Sequence, residues 1–236
     1  VLNDVTAYRE LQRRADRQDR LVALGHVAAN VAHEVRNPLH GLLGYLRLLE
    51  READDPKQEK WIRKMNQAGQ HLQAVVTNLL NYTREMKCQL RPCDLHTLLQ
   101  DTAGTMSPRA ESAAVTLSTQ PTDEPLQSAI DPVMMKQVLT NLCDNAIDAC
   151  PHGGSVRLTA GHDGQTHWIE VQDDGCGMDE QMQARVWEPF YTSKQKGIGL
   201  GLAMCQRIMD AHGGSIHLDS RIDEGTTFRL VLPSTP

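Results

Sequence analysis

From Leu24 onward, apolar residues recur at alternating steps of four and three: Leu24, Ala28, Val31, Val35, Pro38, Leu42, Tyr45 and Leu49. This is a heptad stripe, and Leu39 and Leu46 beside it widen it toward a bundle face. The pattern predicts one long helix over residues 10–50. After a polar stretch, "READDPKQ", the same spacing returns as Trp61, Met65, Ala68, Leu72, Val75, Leu79, Tyr82 and Met86. Two amphipathic helices joined by so short a loop form an antiparallel hairpin. One hairpin leaves the far side of such a wide apolar face in water, so two copies are expected to pair into a four-helix bundle. Packing against the chain's own C-terminal half is the competing solution.

The pattern changes around Cys88 to Pro92, which reads as a linker. Beyond it, helical and strand periods alternate. "DLHTLLQDTAGTM" is helical, and "AVTLSTQ" and "PLQSAI" are short and strand-like. "DPVMMKQVLTNLCDNAIDAC" is a helix with Asp131 as its N-cap and Pro132 in its first turn. His152-Gly153-Gly154 breaks it. "SVRLTAG" and "THWIEVQDDG" then read as a hairpin pair of strands. A glycine-rich stretch, "KGIGLGLAMCQRIMDAHGG", starts a final helix that ends at Gly-Gly, before the strands "SIHLDS" and "TTFRLVLP". The expected fold class is α+β: a dimerizing two-helix hairpin, then a sandwich with one sheet covered by helices on one side.

A chain of 236 residues has room for two such parts. Its net charge of -6 offers no basic face, so no nucleic-acid partner is expected. The six cysteines form no CxxC pair, which fits a reduced, cytoplasmic setting. No stretch approaches the roughly 20 apolar residues of a membrane span, so no membrane contact is expected within these residues. The first residue is Val1, so the chain reads as a piece of a longer protein whose anchoring is undecided.

Candidate chemistry begins at "NVAHEVRNPLHG". On the heptad stripe His33 falls opposite the core, two residues from both Val31 and Val35. His26 and His40 share that outward position, so exposure selects nothing. Seven residues of helix separate neighbours by about 10 Å, too far to share a zinc ion. His33 differs in its company. Glu34 can take the proton from one imidazole nitrogen and leave the other as a nucleophile. Asn37, one turn on, could orient a water for hydrolysis, and Pro38 permits a bend.

Downstream, "NLCDNAIDA" places Asn141 and Asn145 one turn apart on one helix face. A carboxamide oxygen suits magnesium and its NH2 suits phosphate, although buried asparagines capping a sheet would give the same spacing. In "DDGCGMD", Asp173 could accept from an exocyclic amine such as that of adenine. Gly175 and Gly177 would let the backbone approach a ring, and the segment could equally be a turn. "KGIGLGL" sets Gly197, Gly199 and Gly201 just before a helix, where backbone N–H groups can face an anion. A glycine-rich surface loop is the alternative. "WEPFYTSK" is an aromatic patch flanking Lys194. Cys143 and Cys176 inside two of these segments suit small packing residues better than redox sensors.

In order and spacing these segments resemble the sensor histidine kinases of two-component systems. "AHEVRNPL" resembles the H box, "NLCDNAIDA" the N box, "DDGCG" the G1 box, "WEPFYTSK" the F box and "GIGLGL" the G2 box. The resemblance implies a dimerization and histidine-phosphotransfer hairpin over residues 21–87 and a Bergerat-fold ATP-binding domain over 88–236. His33 would be the phosphoacceptor, Glu34 its general base, and Asn37 an aid to dephosphorylating the partner. Asn145 would bind Mg2+ and Asp173 would read adenine. Lys194, Gly197, Gly199 and Gly201 would belong to the lid over the phosphates of ATP. The implied partners are a second copy and a response-regulator receiver domain. The opening "VLNDVTAYRELQRR" is similar to the end of a PAS domain, making residues 1–20 a connecting signal helix.

One departure stands out. The N box ends "NAIDA" rather than "NAxKY", so no basic side chain at position 148 reaches the phosphates. Only about six residues separate Phe190 from Gly197, a short lid that implies fast nucleotide exchange. Two other functions fit parts of the pattern. Gyrase-type ATPases of the same superfamily resemble one another in carrying a water-activating glutamate where this chain has Asn141. A nucleotide-binding scaffold acting mainly as a phosphatase would need the same boxes.

Overall fold

A computed structural model of the chain describes residues 35, 38–46, 48–50, 55–83, 86–120, 126–150, 153–194 and 197–233. The chain divides into two compact units, Val1–Glu85 and Met86–Pro236. The expected PAS end and connecting helix lie outside the described residues, as do His33, Glu34 and Asn37.

In the first unit, residues 38–46 and 48–50 are helical and face helix α1, Pro56–Thr83. Asn66 Nδ2 donates to Glu50 Oε2 at 3.3 Å, and Gln73 and His40 meet through their side-chain nitrogens at 3.1 Å. Residue sums across the pair stay nearly constant, the signature of an antiparallel hairpin. His40 is therefore not simply solvated: it is exposed but ties the two helices together. Leu43, Leu46, Ile62 and Val76 are buried. Gly69 makes the notch for Leu43, because a Cβ there would lie 2.6 Å from Leu43 Cδ2. Most of the 4-3 stripe faces elsewhere: Leu42, Tyr45, Leu49, Trp61, Met65 and Leu72 stay exposed, whereas Tyr82 near its end is buried.

The second unit is an α+β sandwich, as the alternating periods predict. A five-stranded sheet has the order β2 (Thr116–Thr119), β4 (Ser155–His162), β5 (Thr166–Asp173), β7 (Gly225–Pro233) and β6 (Ser215–Arg221). β2 pairs parallel with β4 and the other neighbours are antiparallel. Residues alternate across the sheet, so Val156, Leu158, Ile169, Val171, Phe228 and Leu230 point into the core. Helices α2 (Leu95–Ser112), α3 (Pro132–Ala149) and α5 (Gly201–Ala211) contribute Leu99, Leu142 and Ile208 to the same core. On the open face, Arg229 donates to Glu170 at 3.0 Å and lies over the Trp168 ring.

The residues read as a linker differ from expectation. Arg91–Asp94 form β1, which pairs antiparallel with β3, Gln127–Ile130. Asp94 then caps α2 by accepting from Thr97 N–H at 3.0 Å. The entering chain is fastened by a buried hub. Gln89 N–H donates to Asp131, and Asp131 N–H donates to His212 Nε2 at 2.9 Å. The other imidazole nitrogen faces the Ile208 carbonyl at 2.7 Å, so the proton sits on Nδ1.

Candidate nucleotide site

Helix α3 organises the site. Asp131 caps it by accepting from Val133 and Met134 N–H at 3.0 and 3.1 Å. Met135, Val138, Leu139, Leu142, Cys143 and Ala146 form its buried stripe. Helical geometry then leaves Asn141, Asp144, Asn145 and Asp148 on the opposite side, where they are partly or fully exposed. The asparagines are not sheet caps. Asn141 bonds the thiol of Cys205 on α5, and Gly201 lies beside it.

The two carboxylates of "DDG" do opposite things. Asp173 ends β5 and is only 5 % exposed. Burial pushes its pKa up to about 6, with the N–H groups of Gly175 and Thr226 pulling back. Asp174 turns outward and clamps the start of β4, accepting from Ser155 N–H and Ser155 Oγ, each at 2.7 Å. Those two bonds hold its carboxyl below the usual range.

The glycines of this loop have reasons within the protein itself. A Cβ on Gly175 would lie 2.7 Å from the Ala149 carbonyl, and Cys176 N–H donates to that same oxygen at 3.0 Å. Gly177 has φ +64, and a Cβ there would run into the Arg221 carbonyl. The loop is thereby pressed between the end of α3 and the β6–β7 turn. It continues into α4, Glu180–Arg185, capped by Asp179 through Met182 N–H at 2.7 Å.

The aromatic patch packs in two directions. Trp187 meets Phe228 of β7 edge-on at 6.1 Å, and the Arg185 guanidinium lies over Tyr191 at 4.4 Å. Phe190 stays half exposed with φ +69, its N–H donating to the Gly199 carbonyl at 2.8 Å. Gly199 also has φ +69, and a Cβ on it would collide with the backbone of Phe190 and Tyr191. Gly197 is pressed against the Thr192 side chain.

The start of α5 tests the fit to a nucleotide. Leu200 stands at its N-cap and no side chain caps the helix, so its first N–H groups are open to an anion. The nearest atoms that a Cβ on Gly201 would meet belong to Asn141, at 3.8 and 3.9 Å. The carboxamide of Asn141 and the uncapped start of α5 thus lie side by side, donors of a kind that fits phosphate oxygens, and the buried carboxyl of Asp173 is an acceptor of a kind that fits an amine.

Lys194 completes the cluster in a way the spacing did not foretell. Its Nζ donates to Asn145 Oδ1 at 2.8 Å and to Asp148 Oδ2 at 2.7 Å. Arg109 from α2 grips the other oxygen of Asp148, with its Nε 3.8 Å from Asp144 Oδ1. Arg109 was invisible in the sequence because its partner is 39 residues away. The only local hint was Asp144 and Asp148, two acids one turn apart on the polar face. The pairs are one-third to one-half exposed, where an ion pair contributes about 0–1 kcal/mol. Stability alone gives little reason for the cluster.

In chain order, a helical hairpin is followed by an α+β sandwich with a candidate nucleotide site. Comparison with known proteins narrows this. Residues 130–236 match the family of histidine kinase-, DNA gyrase B- and HSP90-like ATPases, and residues 23–86 match the His Kinase A (phospho-acceptor) domain. The chain is 34 % identical over 237 residues to the signal transduction histidine-protein kinase AtoS of Escherichia coli K12, covering 100 % of this chain and 39 % of AtoS. It is 35 % identical to the sensor histidine kinase ZraS of the same strain, covering 94 % of this chain and 48 % of ZraS. Among solved structures it resembles full-length ShkA in complex with AMPPNP (TM-score 0.76, 30 % identity, 89 % of this chain and 46 % of that one). It also resembles histidine kinase ThkA in complex with the response regulator protein TrrA (TM-score 0.70, 27 % identity, 96 % and 66 %). The chain spans less than half the length of these two curated relatives. The protein belongs to the sensor histidine kinases of two-component systems, and these residues form their catalytic core.

Proposed function

We propose that the chain transfers the γ-phosphoryl group of ATP to His33 and passes it on to an aspartate of a response-regulator receiver domain. The observation that supports this most directly is Asn141 lying beside Gly201 at the uncapped start of α5, with Asp173 buried at the end of β5. These groups share a chain with a phospho-acceptor segment that contains His33. Glu34 takes the imidazole proton as the ring attacks phosphorus in line, so the reaction rests on positioning and charge neutralisation. Asn37 orients a water for the opposing activity, hydrolysis of the regulator's aspartyl phosphate to inorganic phosphate.

Asp173 accepts from the adenine amine, while Gly201 and the first turn of α5 receive the phosphates with Lys194, Gly197 and Gly199 beside them. Asn145 supplies a hard oxygen to Mg2+, which when bound neutralises phosphate charge. The working division is a connecting segment over 1–20, a phosphotransfer hairpin over 21–87 and a catalytic domain over 88–236. Two hairpins pair through the exposed stripe of Leu42, Tyr45, Leu49, Trp61, Met65 and Leu72. No helix among the described residues is long and apolar enough to cross a membrane. Incubating the full chain with γ-labelled ATP tests the reading: it predicts an acid-labile, alkali-stable label. A label that is stable in acid would refute it.

A further inference from the structure

Lys194 stands where a second cation would have to go. Its ammonium sits 2.8 Å from Asn145 Oδ1, filling the space in front of the carboxamide oxygen assigned to magnesium. The same nitrogen is held by Asp148 Oδ2 at 2.7 Å, and Arg109 fixes that carboxylate from its other oxygen. An acid at position 148 recruits Lys194, whereas the lysine of the commoner "NAxKY" pattern would repel it.

A magnesium ion needs its oxygen ligands at about 2.0–2.1 Å in near-octahedral array. An ammonium already hydrogen-bonded to one of those oxygens would crowd that shell and repel the ion as a like charge at close range. We infer that Lys194 is a latch on the magnesium seat: Asp148 holds it against Asn145. It must let go before Asn145 can take a divalent cation. Lys194 follows the aromatic patch and immediately precedes the glycine stretch that leads into α5, so the released ammonium can turn to the phosphates. The latch exchanges partners and keeps its charge in use. This inference rests on the placement of magnesium at Asn145 in the proposed function.

The test is equilibrium binding of a fluorescent ATP analogue to the full chain as magnesium is titrated. Asp148→Asn keeps the side-chain shape and removes the charge; Lys194→Gln removes the ammonium. Asp148→Asn is expected to lower the half-saturating magnesium concentration roughly twofold to fivefold, the equivalent of one partly exposed ion pair, while in Lys194→Gln the lost phosphate contact offsets part of that fall. The double variant should go no further than the singles, because both break one latch. Without metal or nucleotide, acylation of Lys194 by an N-hydroxysuccinimide ester, read by peptide mass mapping, should be faster in Asp148→Asn.

An unchanged or higher magnesium requirement in Asp148→Asn would overturn the latch, as would additive effects or an unchanged acylation rate. Asn145→Ala separates this from the parent reading. If Asn145→Ala keeps the original magnesium dependence, the metal assignment itself is wrong. If Asn145→Ala loses that dependence while Asp148→Asn behaves like the unmodified chain, only the latch fails.

Discussion

The two units differ in whether they can satisfy themselves. In Met86–Pro236, Leu99, Ile130, Leu139, Leu142, Leu158, Ile169 and Leu230 are fully buried, and the exposed large apolar residues are scattered. In Val1–Glu85 the described hairpin buries Leu43, Leu46, Ile62, Val76 and Tyr82, yet leaves a second apolar stripe in water. Scattered exposed residues are ordinary, but a continuous stripe is not. The difference teaches where assembly and where chemistry reside. A self-sufficient core can hold a nucleotide site still, while an unfinished one calls for a second copy.

The largest effect is expected inside the complete core. Leu142→Ala should destabilise the catalytic unit by about 2–5 kcal/mol, visible as a large fall in its thermal midpoint. Exposed stripe residues should behave oppositely. Tyr45→Lys with Leu72→Lys should shift sedimentation from dimer to monomer while the thermal midpoint of the catalytic unit stays put. Burying a large apolar side chain contributes about 1.5–3 kcal/mol, so losing two per protomer is enough to dissociate a modest dimer. A dimer that survives both lysines would mean that the stripe packs elsewhere.

Asp173 sharpens the comparison within the catalytic unit. Its pKa is raised by burial to about 6, so in the nucleotide-free domain this group favours folding most at low pH. That contribution is lost as pH rises through about 6. Adenine binding has the reverse demand, because a donating amine needs the ionised carboxylate. Nucleotide affinity should therefore be flat above about pH 7 and fall below pH 6, by at most about tenfold per pH unit. Asp173→Asn should abolish that pH dependence. Asp174 has the opposite sign, since its lowered pKa gives stability present above the ordinary carboxylate range and lost as pH falls. Because that residue is exposed, Asp174→Ala should cost the domain no more than about 1 kcal/mol in chemical denaturation, the smallest effect of the set.

Much of this was legible because local chemistry and tertiary context agree. The Asp131 cap with Pro132 fixed the start of α3, and the Gly213–Gly214 pair marked the end of α5, with Gly213 at φ +69. Strand alternation gave β4 through β7. What stayed hidden depends on partners distant in the chain. Arg91 and Pro92 read as the end of a linker until Gln127–Ile130 supplies the ladder for Arg91–Asp94. Gly69 looks like a weak point in a helix until Leu43 fills it. A wide apolar face contains two stripes, and periodicity alone could not say that Leu43, Leu46 and Ile62 pack within the hairpin while Leu42, Tyr45, Leu49 and Trp61 stay exposed. Asp148 was read as a missing charge. Arg109 and Lys194, 39 and 46 residues away, show that it gathers two.

The central claim is that the nucleotide site feeds one imidazole. Quantifying label from γ-labelled ATP in His33→Gln against the unmodified chain, with nucleotide binding measured on both, tests it most directly. Nucleotide binding should be unchanged in the variant and its acid-labile label absent. Acid-labile label at the original level in His33→Gln would contradict it.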